Sequence, residues 1–385
     1  MKRFVLFLLS VIPVFLCALI IDHTCTDITQ IPESAILAAK DSLRIGYGHT
    51  SHGWQITYGM DGLVEFANNG GKGLSLPEDI FAFNNGGTDG ALDFEDGDGY
   101  GEGWLDHDCG YYPNWVDETR EYLEDASHSD VNVIMWSWCG QVSNKYCSGV
   151  LWEQYLGPMT QLEIDYPHVT FIYMTGHVDI GADTCNKAAN DSIRGYCRNN
   201  NKVLFDFADF DRHDPDGNYY EFCNDNCDYY DAAGGTLLGN WAEEWQSAHT
   251  EGVDWYSTPG SHTYPINENQ KGYAAWWMWA RLAGWEGSAG IDEKAEPDNG
   301  LTLSAGKNLN LITNNKIYIS FSIPGDGLTT IDAYDVSGKK ISSIFRGNLH
   351  SGSHSCSWDR SGKAGIIIIR LTHGSGATSI KLNCM

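Results

Sequence analysis

The chain has 385 residues, with 51 Asp and Glu against 24 Lys and Arg, for a formal net charge of −27. That balance lacks the clustered cations that grip a phosphate backbone or an anionic lipid surface, so nucleic acid and acidic membrane are set aside as partners. The length leaves room for a large core and a second module, and the 14 Trp and 20 Tyr offer ring faces for burial or for stacking on sugars.

Met1-Lys2-Arg3 precedes an apolar run from Phe4 to Ile21. A basic start, an apolar stretch and a polar continuation describe a secretory leader, which assigns residues 1–21 to a signal peptide. An uncleaved membrane anchor is the rival for a run of this length. The expected location is secreted, extracellular or on the outer cell surface of a bacterium. Leaving Cys17 aside, ten of the 11 cysteines remain, and an even number in an exported chain points to disulfides. Local pairing suggests Cys139–Cys147, Cys185–Cys197, Cys223–Cys227 and Cys356–Cys384, with Cys25–Cys109 by elimination, although spacing does not fix connectivity. A zinc site is the rival, but no closely spaced pair has a matching second pair.

Residues 22–285 alternate short apolar runs with helical patterns. Strands are expected at Leu43–Tyr47, Ile80–Phe83, Val131–Trp136, Val169–Met174 and Lys202–Phe207. Helices are expected near Gln55–Ala67, Trp115–Ala126, Gly149–Tyr166, Asn186–Asn199, Leu237–Ala248 and Asn269–Ala283. The alternation predicts an α/β fold, a three-layer flavodoxin-like parallel sheet that binds ligands beyond the carboxyl ends of its strands. Ser51, Gly140 with Gln141, and Thr175-Gly176-His177 fall at that edge. The polar stretch 286–300 reads as a linker. Residues 301–385 change grammar, with strands expected at Lys316–Ile323, Thr329–Val336, Lys339–Phe345, Ser353–Trp358, Gly365–Leu371 and Thr378–Leu382, the pattern of a small all-β, Ig-like sandwich.

Two segments carry the chemistry. Gly48-His49-Thr50-Ser51-His52-Gly53 ends the first predicted strand in a small-residue turn that presents a serine. A serine hydroxyl becomes a nucleophile only beside a base. Ser261-His262-Thr263-Tyr264-Pro265-Ile266-Asn267 supplies one, in a loop before the last helix of the α/β part. These segments resemble the nucleophile block and the last block of the SGNH (GDSL-like) hydrolases. Gly-His-x-Ser-x-Gly here replaces Gly-Asp-Ser, and His262 is followed by Pro265, Asn267 and Lys271-Gly272-Tyr273. The resemblance implies Ser51 as nucleophile, His262 as base, Gly90 as a backbone oxyanion donor, and Gln141 in place of the family's asparagine, with Asn144 as the alternative. It departs from the family at Pro259, where an Asp orienting the histidine is expected. Asp254, Asp206, Asp209 and Asp211 are the substitutes within reach. His177, Asp179 and His49 are expected to contact substrate, and His177, with His49 and His52 beside the serine, is an alternative base.

Asp93-Phe94-Glu95-Asp96-Gly97-Asp98-Gly99-Tyr100-Gly101-Glu102 is dense in hard oxygen ligands and resembles a calcium loop without its full spacing, and Asp214-Pro215-Asp216-Gly217-Asn218 is a weaker second case. A solvated acidic loop is the competing account, and no cofactor is expected. In the tail, Tyr334-Asp335-Val336-Ser337-Gly338-Lys339 and Gly365-Ile366-Ile367-Ile368-Ile369-Arg370-Leu371 resemble the C-terminal modules of type IX-secreted bacterial proteins. This implies sorting or attachment through the cell surface or secretion machinery. The expectation is a secreted serine esterase that removes acyl groups, acetyl first among them, from an acylated glycan or polysaccharide. A non-catalytic glycan-binding protein on the same fold and a metal-dependent hydrolase are the alternatives.

Overall fold

Val133-Ile134-Met135-Trp136 is apolar at every position, as a strand covered on both faces must be. It lies in the middle of a seven-stranded sheet. The structure, a computed structural model, describes residues 18–97, 104–287, 302–307, 316–335, 339–359, 365–374 and 376–384. The chain divides into two units, Met1–Ala289 and Gly290–Met385. No helix among the described residues is long and apolar enough to cross a membrane.

In the first unit the elements run β1 Leu19–Ile21, α1 Glu33–Ser42, β2 Arg44–Gly48, α2 Trp54–Asn68, β3 Phe83–Asn84, β4 Leu92–Asp96, α3 Asn114–Glu124, β5 Val133–Trp136 and α4 Val142–Cys147. There follow α5 Gly157–Asp165 behind a π-helical turn, β6 Thr170–Met174, α6 Asp183–Asn199, β7 Val203–Phe205 and α7 Phe207–Asp211. The unit closes with the hairpin of β8 Asp228–Tyr230 and β9 Leu237–Asn240, then α8 Trp241–Ala248 and α9 Pro265–Leu282. The large sheet has the order β1-β7-β6-β5-β2-β4-β3, and its strand pairs are parallel. This is the α/β architecture expected.

From β2 the chain moves outward to β4 and β3, whereas from β5 it moves the other way to β6 and β7. The connections therefore diverge between β2 and β5, where open α/β sheets form a crevice.

Some elements differ from expectation. Leu19–Ile21, expected at the end of the leader, form β1 and pair with Val203–Phe205, so a leader ending at Ile21 would take a sheet strand with it. The strand beside β2 is β4, and the expected Ile80–Phe83 strand contributes only the short β3 farther out. Asp93 to Asp96 of the acidic stretch thus belong to a strand, and residues 98–103 lie outside the described residues. The strand's carboxylates serve protein partners, with Asp93 on Arg44, Glu95 on Tyr122 and Asp96 on His49. Asp214, the start of the weaker cation candidate, accepts the backbone N–H groups of Asp216 and Asn218 in its own turn.

Among the described residues one disulfide forms, Cys147–Cys185, which ties α4 to α6. That replaces the expected Cys139–Cys147 and Cys185–Cys197 pairs. Cys25, Cys109, Cys223 and Cys227 are free thiols in buried positions, which removes the Cys25–Cys109 and Cys223–Cys227 pairs. The Cys384 side chain of the Cys356–Cys384 expectation lies outside the described residues. Local spacing misled because α4 and α6 pack side by side beyond adjacent strands, bringing distant cysteines together.

Helix α9 is buried along nearly its whole length, Trp276, Trp277 and Trp279 included. It crosses α2 at Gly59 and Gly272. A Cβ on Gly59 would stand 2.0 Å from the Glu268 carbonyl oxygen, and one on Gly272 would stand 2.4 Å from the Gly59 carbonyl carbon. The first turns of α9 carry a polar run whose members tie it to distant parts of the chain. Asn267 donates to Asp211, Glu268 accepts from Ser261 N–H, Asn269 bonds both backbone groups of Tyr256, and Gln270 donates to the His213 carbonyl.

The second unit has two antiparallel sheets. One has the order β10-β11-β14, from Thr302–Lys307, Lys316–Ile323 and Gly352–Asp359. The other has the order β13-β12-β15-β16, from Lys340–Leu349, Gly327–Asp335, Gly365–His373 and Gly376–Cys384. One apolar cluster draws on both, with Ile319, Phe321 and Trp358 from the first sheet and Ile331, Ile367, Ile369 and Leu371 from the second. Val336-Ser337-Gly338 of the sorting-type motif lie outside the described residues.

Candidate active site

Strand β2 ends on Gly48, where a Cβ would stand 2.2 Å from the Trp136 ring. Thr50 then donates its hydroxyl to Asp108, and residues Ser51–Gly53 form a single 3-10 turn leading into α2. Gly53 is required because a Cβ there would stand 2.2 Å from that of His49. The turn leaves Ser51 partly exposed and presses His52 into the crevice, 5% exposed. Across the divergence, the segment after β5 brings Cys139 to the same place.

Cys139 Sγ lies 3.3 Å from His52 Nδ1 and 3.3 Å from Ser51 Oγ. The other ring nitrogen, His52 Nε2, lies 3.1 Å from Asp225 Oδ2. A carboxylate only accepts hydrogen bonds, so Asp225 assigns the proton to Nε2 and leaves the lone pair on Nδ1, facing the sulfur. A thiol, an imidazole and a carboxylate thus stand in line, an arrangement by which a weak nucleophile can be activated. The Cys139 N–H donates to Gln141 Oε1, whose amide in turn donates to Asp108 Oδ2. Asp108 therefore braces both sides of the crevice.

His52 is the middle ring of three. His177 stacks on one neighbour face at 4.0 Å and 5°, and His262 stacks at 4.1 Å and 6°. Burial pushes the His52 pKa down to about 4, against the hydrogen bond His52 donates to Asp225, and the two flanking histidines push the same way as burial. His52 is therefore neutral near pH 7, the form that can take a proton. Burial acts to raise the pKa of Asp225, but its hydrogen bond with His52 and the charges of His177 and His52 hold it below the ordinary value. Asp225 is therefore a carboxylate near pH 7.

The sign of the stability effect follows. Between the unfolded value of 6.5 and the folded value of about 4, the unfolded chain binds the His52 proton and the folded chain does not, so stability falls as pH drops through that window. The contribution lost is roughly 3 kcal/mol at its fullest. Urea midpoints measured from pH 7 to pH 4 are expected to fall more steeply in the native protein than in His52→Gln. Parallel slopes would contradict the assignment.

The expected site residues are partly brought together. Ser51, Gln141, His177 and His262 all meet in the crevice. Ser51 and His262 share no hydrogen bond, because the hydroxyl faces Cys139 and the His262 ring lies flat on His52. His262, exposed and held at φ 65°, is tied to the serine turn through its neighbour, since Ser261 Oγ donates to the Ser51 carbonyl at 2.6 Å. His49 is fully buried and engaged with Asp96 at 2.7 Å, and Asp179 caps a turn through Gly181 N–H. Both hold backbone together.

Gly90 is corrected. It precedes β4, which runs parallel to β2, so it sits at the amino-terminal edge of the sheet, opposite the crevice. The error came from taking Ile80–Phe83 as the inner strand. The acids proposed for His262 are likewise spent elsewhere. Asp206 pairs with Arg194, Asp209 with His23, Asp211 with Lys271, and Asp254 accepts Thr250 N–H.

A metal is the competing occupant. His52, His177 and Asp225, and separately His23, Asp209 and His213, each bring three ligand atoms within 4.8 Å of one another. A ring nitrogen binds an ion through a lone pair in the ring plane. In each group the two rings lie face to face, so their lone pairs lie in near-parallel planes and are poorly aimed at one ion. His177 Nδ1 and His213 Nδ1 are also committed to the carbonyls of Val178 and Asp209. Both arrangements fit proton sharing better than coordination.

Two members of the site have no catalytic role in the sequence reading. Cys139 is counted there as a disulfide partner, and Asp225 lies between Cys223 and Cys227, a pair expected to close a loop. His52 is expected there only to contact substrate or to stand in as a base. The usable signal was the Trp138-Cys139-Gly140 end of the most apolar strand, beyond which a catalytic side chain belongs.

The sequence matches no known protein-family profile, and no curated protein is similar to it. Among solved structures, an FMN-binding beta-glucuronidase from Facaelibacterium prausnitzii L2-6 aligns at 9% identity over 68% of this chain and 33% of its own, with a TM-score of 0.18. An engineered protein aligns at 11% identity over 76% and 55%, with a TM-score of 0.19. The chain thus spans about a third and about half of those two proteins. Likeness this slight carries no argument about fold or chemistry.

Proposed function

We propose that the protein is an acyl hydrolase that cleaves esters at the crevice between β2 and β5. The observation that carries this is the line Cys139–His52–Asp225, with Sγ to Nδ1 at 3.3 Å and Nε2 to Oδ2 at 3.1 Å. In the first half-reaction Cys139 Sγ bonds to the ester carbonyl carbon while its proton passes to His52 Nδ1. The carbon–alkoxide bond then breaks, and His52 returns the proton to the departing alcohol. In the second, His52 takes a proton from water, the water oxygen bonds to the thioester carbon, and the carbon–sulfur bond breaks to release the acid and restore the thiol. The N–H groups of Gly140 and Gln141 directly follow Cys139 and have no hydrogen bond among the described residues, which suits them to the oxyanion.

Ser51 as nucleophile is the second reading, favoured by its hydroxyl standing 3.3 Å from the same sulfur. Acylated extracellular carbohydrate is the substrate class proposed, supported by the leader-like start and by Tyr111 and Tyr112. These are 51% and 41% exposed and lie on the segment that Asp108 anchors beside Gln141. The test is to mix the protein with p-nitrophenyl acetate, quench in acid, and map the acetylated peptide by mass spectrometry. An adduct on the Cys139 peptide is expected. An adduct on Ser51 selects the second reading, and no turnover of any ester removes the proposal.

A further inference from the structure

Histidine 177 has one nitrogen too many for a purely structural role. Its Nδ1 donates to the Val178 carbonyl at 2.7 Å, with Asp225 Oδ2 at 3.9 Å on the same side. That bond fixes the proton on Nδ1 and leaves the Nε2 lone pair as an acceptor. The ring is only 8% exposed, yet Nε2 has no hydrogen-bond partner among the described residues. It faces Gly140, where a Cβ would come within 3.8 Å of it and every larger side chain would cover it. Gly140 is exposed and directly follows Cys139. The unused acceptor therefore opens beside the attacking sulfur.

The surroundings keep it there. Asn186 donates to the His177 carbonyl, Asn190 bonds both backbone groups of Gly176, and Asp211 accepts Val178 N–H. One ring face is stacked on His52, so the imidazole cannot swing away without breaking the stack. A nearly buried acceptor held rigid discriminates strongly, because a ligand that cannot donate to it leaves it unpaired.

We infer that His177 Nε2 accepts a hydrogen bond from a hydroxyl on the substrate next to the ester being cleaved. The protein then selects esters of polyols with a free neighbouring hydroxyl, as in a partly acylated sugar. This rests on the acyl hydrolase reading of the same crevice and adds the substrate group that it recognises.

The experiment compares kcat/KM for a mono-O-acetyl methyl glycoside bearing a free neighbouring hydroxyl with that for the same ester whose hydroxyl is replaced by hydrogen. The native protein is expected to prefer the first by about 10- to 100-fold. In His177→Phe, which keeps a flat ring against His52, the ratio is expected to fall close to unity. Equal rates on the two esters in the native protein would overturn the inference without recourse to any variant, and so would an unchanged ratio in His177→Phe. Cys139→Ala separates the two levels. If it hydrolyses both esters like the native protein, the thiol reading itself is wrong. If it is inactive while the native protein ignores the hydroxyl, only the role of His177 falls.

Discussion

Cys139→Ala is expected to lower kcat on p-nitrophenyl acetate by roughly 10⁵- to 10⁶-fold, and Asp225→Asn by roughly 10⁴-fold. The ordering follows from the geometry. Cys139 supplies the atom that bonds to the carbonyl carbon, and nothing else in contact with the lone-pair nitrogen of His52 can replace it. Asp225 never bonds to substrate. It fixes which nitrogen of His52 carries the proton, and an asparagine can present its N–H to Nε2 and drive the proton to Nδ1, the wrong side for accepting from sulfur. The resulting loss should appear in kcat with KM little changed, because the defect lies in proton transfer. Steady-state kinetics over pH 6–9 check this. A Cys139→Ala protein that is native-like in turnover, or an Asp225→Asn protein that loses only affinity, would contradict the relay.

Lys271→Met is expected to cost the first unit about 3–5 kcal/mol of stability, the largest effect foreseen for one substitution away from the crevice. Lys271 and Asp211 are both wholly buried and 2.6 Å apart. The ammonium also donates to Gln55 Oε1 at 2.6 Å and sits 4.1 Å from the centre of the Phe207 ring. Methionine fills similar space but leaves the Asp211 charge without its counter-ion, and that uncompensated charge is the source of the loss. Adding Asp211→Asn to Lys271→Met should therefore recover much of it. Urea unfolding followed by tryptophan emission measures both. If the double variant is no more stable than the single one, buried charge is not the cause. A second consequence concerns the crevice. Gln55 Nε2 donates to the Ser261 carbonyl, and Ser261 Oγ donates to the Ser51 carbonyl, so the loss of Lys271 also slackens the serine turn.

The alternation of strands and helices was legible because β5, β6 and β7 are short apolar runs separated by clear helical patterns. β4 was not. Leu92 and Phe94 point inward and the intervening acids outward, a regular period of two, but the density of carboxylates resembled an ion-binding loop. Only the positions of Arg44, Tyr122 and His49 show that those acids have partners. β1 was hidden because a leader and an edge strand are both apolar. The burial of the amino-terminal turns of α9 leaves no apolar signal, since Asn-Glu-Asn-Gln-Lys is polar throughout. Their burial depends on distant partners at Gln55, Asp211, His213, Tyr256 and Ser261.

The candidate site divides in the same way. Ser51, Gln141 and His177 were legible because each lies a short way beyond the carboxyl end of a strand, and these ends share one edge of a parallel sheet. His262 was legible from its place before the last helix. Asp225 could not be read, because it reaches His52 from 173 residues away through a loop with no periodic pattern. Cys139 was visible but misassigned, since counting cysteines in pairs gives each a partner before geometry is known.

The glycine crossing of α2 and α9 bears on how the site could be redesigned. At Gly59 and Gly272 main chain rests on main chain, with no side chain whose rotamer could absorb a change. One helix begins just after His52 and the other just after His262, so the spacing of those two rings is set to backbone precision. Enlarging the crevice by trimming or repacking side chains between the helices is therefore closed as a route. Room for a bulkier substrate has to come from the loop that carries Asp225 or from the segment that carries Tyr111 and Tyr112, where insertions meet solvent instead of a helix.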